Sequence, residues 1–204
     1  MNQHVEDRIA HATAAIESLR RQSDELVTIG SILIDRFSVG GTLMTAGNGG
    51  SSVQAMHLAE ELVARYRETR AALPALSLSS DAAAMTCIAN DFGWESVFSR
   101  QVEAHVSFVE GEEEDALTSN DVLLVLSTSG ESVNIIRSLE TANTCGMITL
   151  GLLGRGGGAA LEACDHAVVI DGEDSAAIQD AHQVALHALC EMIEAWVLEE
   201  TAVD

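Results

Sequence analysis

A short apolar run that ends in a turn of small polar residues, then passes into helical spacing, occurs three times in this chain of 204 residues. Thr42–Ala46 runs into Gly47-Asn48-Gly49-Gly50-Ser51-Ser52, and helical periodicity returns from Val53 to Tyr66. Asp121–Leu126 runs into Ser127-Thr128-Ser129-Gly130-Glu131-Ser132, followed by a helical stretch from Val133 to Asn143. Met147–Leu150 leads to Gly154–Gly158 and a short Ala-rich helix, while Ala75–Leu78 and His166–Ile170 read as further strands. Strands that are continuously apolar rather than alternating are buried on both faces, which requires a parallel sheet covered by helices. The expected fold is therefore α/β: a doubly wound parallel sheet with flavodoxin-like layering.

Long helices are expected at both ends. Ile9, Ala12, Ile16, Leu19, Leu26, Ile29, Leu33 and Phe37 recur at steps of three and four, predicting one long amphipathic helix before Gly40-Gly41. Apolar residues on both its faces towards the end make residues 1–40 a helical oligomerisation segment. Ala176 to Glu200 is the C-terminal helix, through Ile178, Leu186, Leu189, Ile193 and Trp196. The whole chain, 1–204, reads as one domain. Pro74 reads as the stop of the helix that carries Arg65, Arg67 and Arg70, and the acidic run from Glu110 to Asn120 as a solvated loop.

Composition removes several function classes. All ten basic residues are Arg, so Schiff-base and pyridoxal phosphate chemistry and nucleotide loops ending in Gly-Lys-Ser/Thr are excluded. A formal charge of −22 repels phosphate backbones and anionic headgroups, arguing against nucleic acid or a membrane as partner. No apolar run of about 18 residues occurs, and Cys87, Cys145, Cys164 and Cys190 form no CxxC pair. The expectation is a cytoplasmic protein with reduced, buried thiols.

In a doubly wound sheet, ligands bind beyond the carboxyl ends of the strands, which brings the first two turns side by side. Backbone N–H groups at Asn48 to Ser51 and the hydroxyls of Ser127, Thr128, Ser129 and Ser132 then form a phosphate cradle that needs no cationic side chain. His57 and Glu61, four apart, share one face of the helix that starts at the first turn. Gln179 and His187, eight apart, are separated by a rise of about 12 Å, so a site assembled between subunits is the easier way to bring both to one small ion. His11, His105, His166 and His182 read as structural.

These residues resemble the sugar isomerase (SIS) domain proteins, and among them the phosphoheptose isomerases. The likeness runs through Gly47–Ser51, His57-Leu-Ala-Glu-Glu61 with Arg65 and Arg67, Asn90-Asp91-Phe-Gly and Phe98–Glu103. It continues through Ser127-Thr-Ser-Gly130, Ser132, Asn134, Ile178-Gln179-Asp-Ala-His182 and His187. It implies an SIS-type fold and an aldose–ketose isomerase interconverting sedoheptulose 7-phosphate and D-glycero-D-manno-heptose 7-phosphate through an enediol. It also implies a homotetramer with active sites at subunit contacts, and one zinc ion per subunit. By position, Asn48, Gly49, Gly50, Ser51, Ser127, Thr128, Ser129 and Ser132 would hold the sugar phosphate, with Asn90, Asp91, Glu61 and Gln179 also contacting substrate. His57, Glu61, Gln179 and His187 would hold the metal, with Glu61 as base and His187 as acid. The chain departs from the family pattern at Ala177, where an Arg is usual, at Glu131, where Asn is frequent, and in the longer acidic segment around 110–120. Competing readings are a non-catalytic SIS module binding a phosphosugar or partner protein, and an isomerase of another ketose phosphate. The non-catalytic relatives lack the helix His/Glu pair and the final His that this chain keeps.

Overall fold

Five strands, β1 (Leu43–Gly47), β2 (Ala75–Ser77), β3 (Val122–Ser127), β4 (Ile148–Gly154) and β5 (His166–Ile170), form one sheet in the order β2-β1-β3-β4-β5. Every neighbouring pair is parallel, with Thr45 opposite Leu124, Leu124 opposite Leu150 and Leu150 opposite His166. The computed structural model describes residues 1–109 and 118–201.

Eight helices accompany the strands among the described residues: α1 (Asn2–Arg20), α2 (Ser23–Ser38), α3 (Gly50–Val63), α4 (Ala82–Phe92), α5 (Ser99–His105), α6 (Val133–Thr144), α7 (Gly158–Glu162) and α8 (Ser175–Thr201). β3 shows how the layers are held. Val122, Leu124 and Leu126 face a core shared with α1, α2, α3 and α8, while Leu123 and Val125 face a second core with α5, α6 and α7. All five are at most 1% exposed, and burying one Leu or Val side chain contributes about 1.5–3 kcal/mol. This explains why the central strand reads as an unbroken apolar run. The strand order reverses between β1 and β3, so α3 and α6 leave on opposite faces and a crevice opens beyond the carboxyl ends of those two strands.

The N-terminal region departs from the expected single helix, since α1 and α2 are separate and the chain turns at Arg21 and Gln22. The Gln22 amide nitrogen donates to the Val169 carbonyl, and the Val169 N–H donates to Gln22 Oε1 at 3.0 Å. One side chain thus pairs with the free edge of β5 as a neighbouring strand would. The following helix α2 packs closely on α8. A Cβ built at Gly30 would lie 2.5 Å from Met192 Cε, so glycine permits that approach.

α3 also stops sooner than its spacing suggests, at Val63, leaving Arg65, Arg67 and Arg70 in the connection to β2. Arg70 donates to the carbonyls of Glu61 and Leu62, and buried Glu194 accepts the backbone N–H groups of Arg67 and Glu68. These contacts satisfy groups that further helix would otherwise occupy. At the start of α8, Asp174 accepts from Ala177 N at 2.7 Å. That N–H, and then the Arg8 guanidinium, hold the Asp174 carboxyl down at about 2.

The expectation of buried thiols holds only for Cys190. Cys145 and Cys164 are half-buried, and Cys87 is exposed on α4, a helix with no buried residue; all four are free. Burial pushes the Cys164 and Cys190 thiols up to about 12. Most of the acidic run lies outside the described residues; Val109 and Thr118 pair antiparallel at its base. No helix among the described residues is long and apolar enough to cross a membrane.

Candidate active site

The first turn follows β1 with no room for side chains. A Cβ at Gly47 would meet the Ser51 carbonyl at 2.5 Å, and Gly49 has φ +56° and ψ −122°, a conformation that suits glycine alone. The second turn follows β3 and is tied by Gly130 N–H donating to Ser127 Oγ at 3.0 Å and Glu131 N–H to Ser129 Oγ at 3.2 Å. Asn48 and Asn134 join the turns through two reciprocal amide hydrogen bonds, each 2.9 Å.

Between the turns lies a cavity of about 170 Å³. Asn48 and Ser51 line it from the first turn, Ser127, Thr128, Ser129 and Ser132 from the second, and Ser175 and Gln179 from α8. Gly49 and Gly50 contribute backbone to the same turn. Three helices, α3, α6 and α8, begin at its wall, and helix N-termini favour an anion. Ser175 was not legible from the turns themselves; it bonds Thr128 Oγ1 at 3.1 Å and accepts from Arg155 at 3.3 Å. Glu131 is exposed and its carboxylate lies against Gly158, away from the cavity wall.

Two turns further along α3 stand His57 and Glu61, with His57 Nε2 3.1 Å from Glu61 Oε1. His187 comes to them within the same chain: its ring is 5.3 Å from that of His57, edge-on, and 5.7 Å from that of Tyr66. The two imidazoles meet at Gln183, whose amide nitrogen is 3.0 Å from His57 Nδ1 and 3.0 Å from His187 Nε2. No second subunit is needed to bring His57, Glu61 and His187 together. Gln179 is elsewhere, in the cavity wall, with its amide so close to Gly50 that a Cβ there would lie 2.6 Å from Nε2. Asn90 and Asp91 are exposed on α4, where Asn90 donates to Asp91 at 2.7 Å; neither lines the cavity.

Two imidazoles and a carboxylate are donors that suit zinc. The ligand atoms of His57, Glu60 and Glu61 lie within 4.8 Å of one another, so the donor chemistry fits a zinc ion on the α3 side. The amide beside them belongs to Gln183 and not to Gln179. The signal for Gln183 was present in the sequence, because it precedes His187 by four and must share its helix face.

A small polar cavity at the switch point of a 2-1-3-4-5 sheet, with a His/Glu cluster on the adjoining helix, defines a ligand-binding α/β class. The model of the SIS domain family matches residues 9–154. Phosphoheptose isomerase 1 of Campylobacter jejuni is 41% identical over 170 residues, 83% of this chain and 86% of that protein. The phosphoheptose isomerase of Helicobacter pylori strain P12 is 41% identical over 186 residues, 91% of each chain. The solved phosphoheptose isomerase from Neisseria gonorrhoeae superposes with a TM-score of 0.84 at 29% identity, over 95% of this chain and 98% of that one. The chain belongs to the phosphoheptose isomerase family of SIS-domain proteins.

Proposed function

We propose that the protein is an aldose–ketose isomerase that interconverts sedoheptulose 7-phosphate and D-glycero-D-manno-heptose 7-phosphate through an enediol. The observation that carries this is the placing of cradle and His/Glu cluster on one helix: from Gly50, His57 is about 10 Å and Glu61 about 16 Å along α3. That spacing suits a long sugar with its phosphate at one end and its reacting carbons at the other. Moving the carbonyl from C2 to C1 needs a base for a carbon-bound proton and an acid at the oxygens. Glu61, on the α3 face beside His57, is the base. His187 serves the oxygens, as acid toward the C2 oxygen. The cradle holds the phosphate through Asn48, Ser51, Ser127, Thr128, Ser129 and Ser132, and Asn90 and Asp91 make further substrate contacts.

A zinc ion would be held by His57, Glu61 and His187, and Gln179 would have to leave the cavity wall to join them. Bound there, zinc would polarise the carbonyl and stabilise negative charge on the oxygens. The assembly is a homotetramer with active sites at subunit contacts; half-exposed Val5, Ile9, Phe92 and Trp94 supply apolar surface for it. Four free thiols suit a cytoplasmic location.

The test is NMR of sedoheptulose 7-phosphate in deuterated water, with and without a zinc chelator. Solvent deuterium entering the product supports the enediol route, and loss of turnover on chelation supports the metal. Binding without turnover in zinc-replete protein would favour the non-catalytic module or another ketose phosphate. Light scattering after size exclusion tests the assembly, and a monomer at micromolar concentration would sink it.

A further inference from the structure

Asn48 stands between Gly47 and Gly49, so its neighbours in the chain offer no side chain to pack against it. It also has open space on two sides. One is the cavity of about 170 Å³; the other is a wider hollow of about 530 Å³, lined by Asn48, Ser132, Val133 and Asn134 with Trp94 and Glu95. Among the described residues, the side-chain hydrogen bonds of Asn48 are the two of 2.9 Å that it exchanges with Asn134. Asn134 itself is firmly held. It is 2% exposed in the first turn of α6, beside fully buried Ile135, where the N–H groups of Ile135 and Ile136 both donate to the Ser132 carbonyl.

The terminal torsion of an Asn is broad and roughly two-fold, so an untied Asn48 would turn either its NH2 or its oxygen to the cavity. Only the NH2 attracts an anion. In the reciprocal pair each amide spends one N–H and one oxygen lone pair, and turning over one amide alone sets N–H against N–H and oxygen against oxygen. The pair therefore keeps the Asn48 oxygen on Asn134 and leaves Asn48 one N–H for a ligand. We infer that Asn134, although it does not line the cavity, is a positioning residue for the ligand's phosphate, acting through the Asn48 amide that it ties down. This rests on the phosphate cradle proposed above. The two residues are 86 apart in the chain, so the same bonds also hold one turn to the other.

The test is calorimetry with inorganic phosphate, together with turnover of sedoheptulose 7-phosphate, on the full chain. Asn48→Ala is expected to weaken phosphate binding about tenfold or more, since it removes a hydrogen bond to a charged group. Asn134→Leu keeps the side-chain volume without donor or acceptor, and is expected to weaken binding about 3- to 10-fold and raise KM alike, with kcat within about twofold. Asn134→Ser, too short to reach Asn48, should behave in the same way and serves if the Leu variant does not fold. Because Asn134 acts through Asn48, adding either change to Asn48→Ala should weaken binding by less than about twofold further. Wild-type affinity in the folded Asn134 variants, or losses that multiply in the double variants, would overturn the positioning role. A wild type that binds phosphate but leaves the sugar unchanged would defeat the isomerase reading and keep this one. A wild type that binds neither phosphate nor the sugar phosphate would defeat the cradle, and the inference with it.

Discussion

In the cradle, Ser127 and Gly130 are three residues apart and joined by a hydrogen bond of 3.0 Å. In the His/Glu cluster, His57 and Gln183 are 126 residues apart and joined by a contact of the same length. The first is built by a turn that folds on itself at the end of a buried strand. The second exists only when α3 and α8 dock in register, because each helix carries half of it. The turns of the proposed cradle are therefore each shaped locally, with Ser175 and Gln179 added from α8, whereas the proposed proton-handling groups meet only through the docking of two helices, and perturbing the two should give different signatures.

The largest separation is expected from Glu61→Gln. Removing a general base costs about 10²- to 10⁴-fold, so kcat should fall by about a thousandfold or more. Phosphosugar binding, measured by calorimetry, should stay within about threefold, because the cradle is untouched. Retained turnover would remove Glu61 as the base.

Next comes pH, through a histidine on the same helix as His187 but turned into the core. His182 is fully buried, donates Nε2–H to the Leu153 carbonyl at 3.1 Å, and is pushed down to about 4 by burial. In the unfolded chain it titrates near 6.5, so between these values the unfolded state takes up a proton that the folded state refuses. Stability is fully present above about pH 6.5 and falls by about 3 kcal/mol as pH drops to about 4. Urea unfolding at pH 7 and pH 4.5 should show this loss in the wild type and much less of it in His182→Gln. Equal losses would mean that other groups carry the acid sensitivity.

The same contrast explains what could be read from the sequence. β1, β3 and β4, with the turns after β1 and β3, are legible because each is a nearly continuous apolar run followed directly by its own small residues. The break at Gln22 is not, because its partner Val169 lies 147 residues on. Nor is the early end of α3, which depends on Arg70 reaching back and on Glu194 of α8. Gln183 stands four residues before His187, the same spacing as His57 to Glu61, but spacing alone does not say which face of α8 looks towards α3. Asn90 and Asp91 rested on family resemblance alone, and their exposed helix gives no local reason to choose them.

Within the cradle, Ser129→Ala removes a hydroxyl from the cavity wall whose internal partner is the N–H of exposed Glu131, which water can satisfy. The fold should be unaffected. A hydrogen bond to a charged group is worth about 1.5–3 kcal/mol, so KM should rise about tenfold or more with kcat within about twofold. A fall in kcat at unchanged KM would blur the division between the two regions.

The smallest effect concerns Arg155, a cation that bonds cavity-lining Ser175 and, among described residues, the one non-glycine with positive φ, +51°. Left-handed backbone costs an L-residue roughly 1–2 kcal/mol, while an added glycine loses about 0.5–1 kcal/mol through unfolded-chain entropy. Relief exceeds loss, so Arg155→Gly should stabilise the protein by about 0.5 kcal/mol in urea unfolding. The guanidinium contacts Ser175 Oγ at 3.3 Å but does not itself line the cavity. If helix N-termini and hydroxyls hold the phosphate unaided, KM should change less than about threefold. A tenfold rise, with the expected gain in stability, would show that the cradle borrows a cation held in a strained turn.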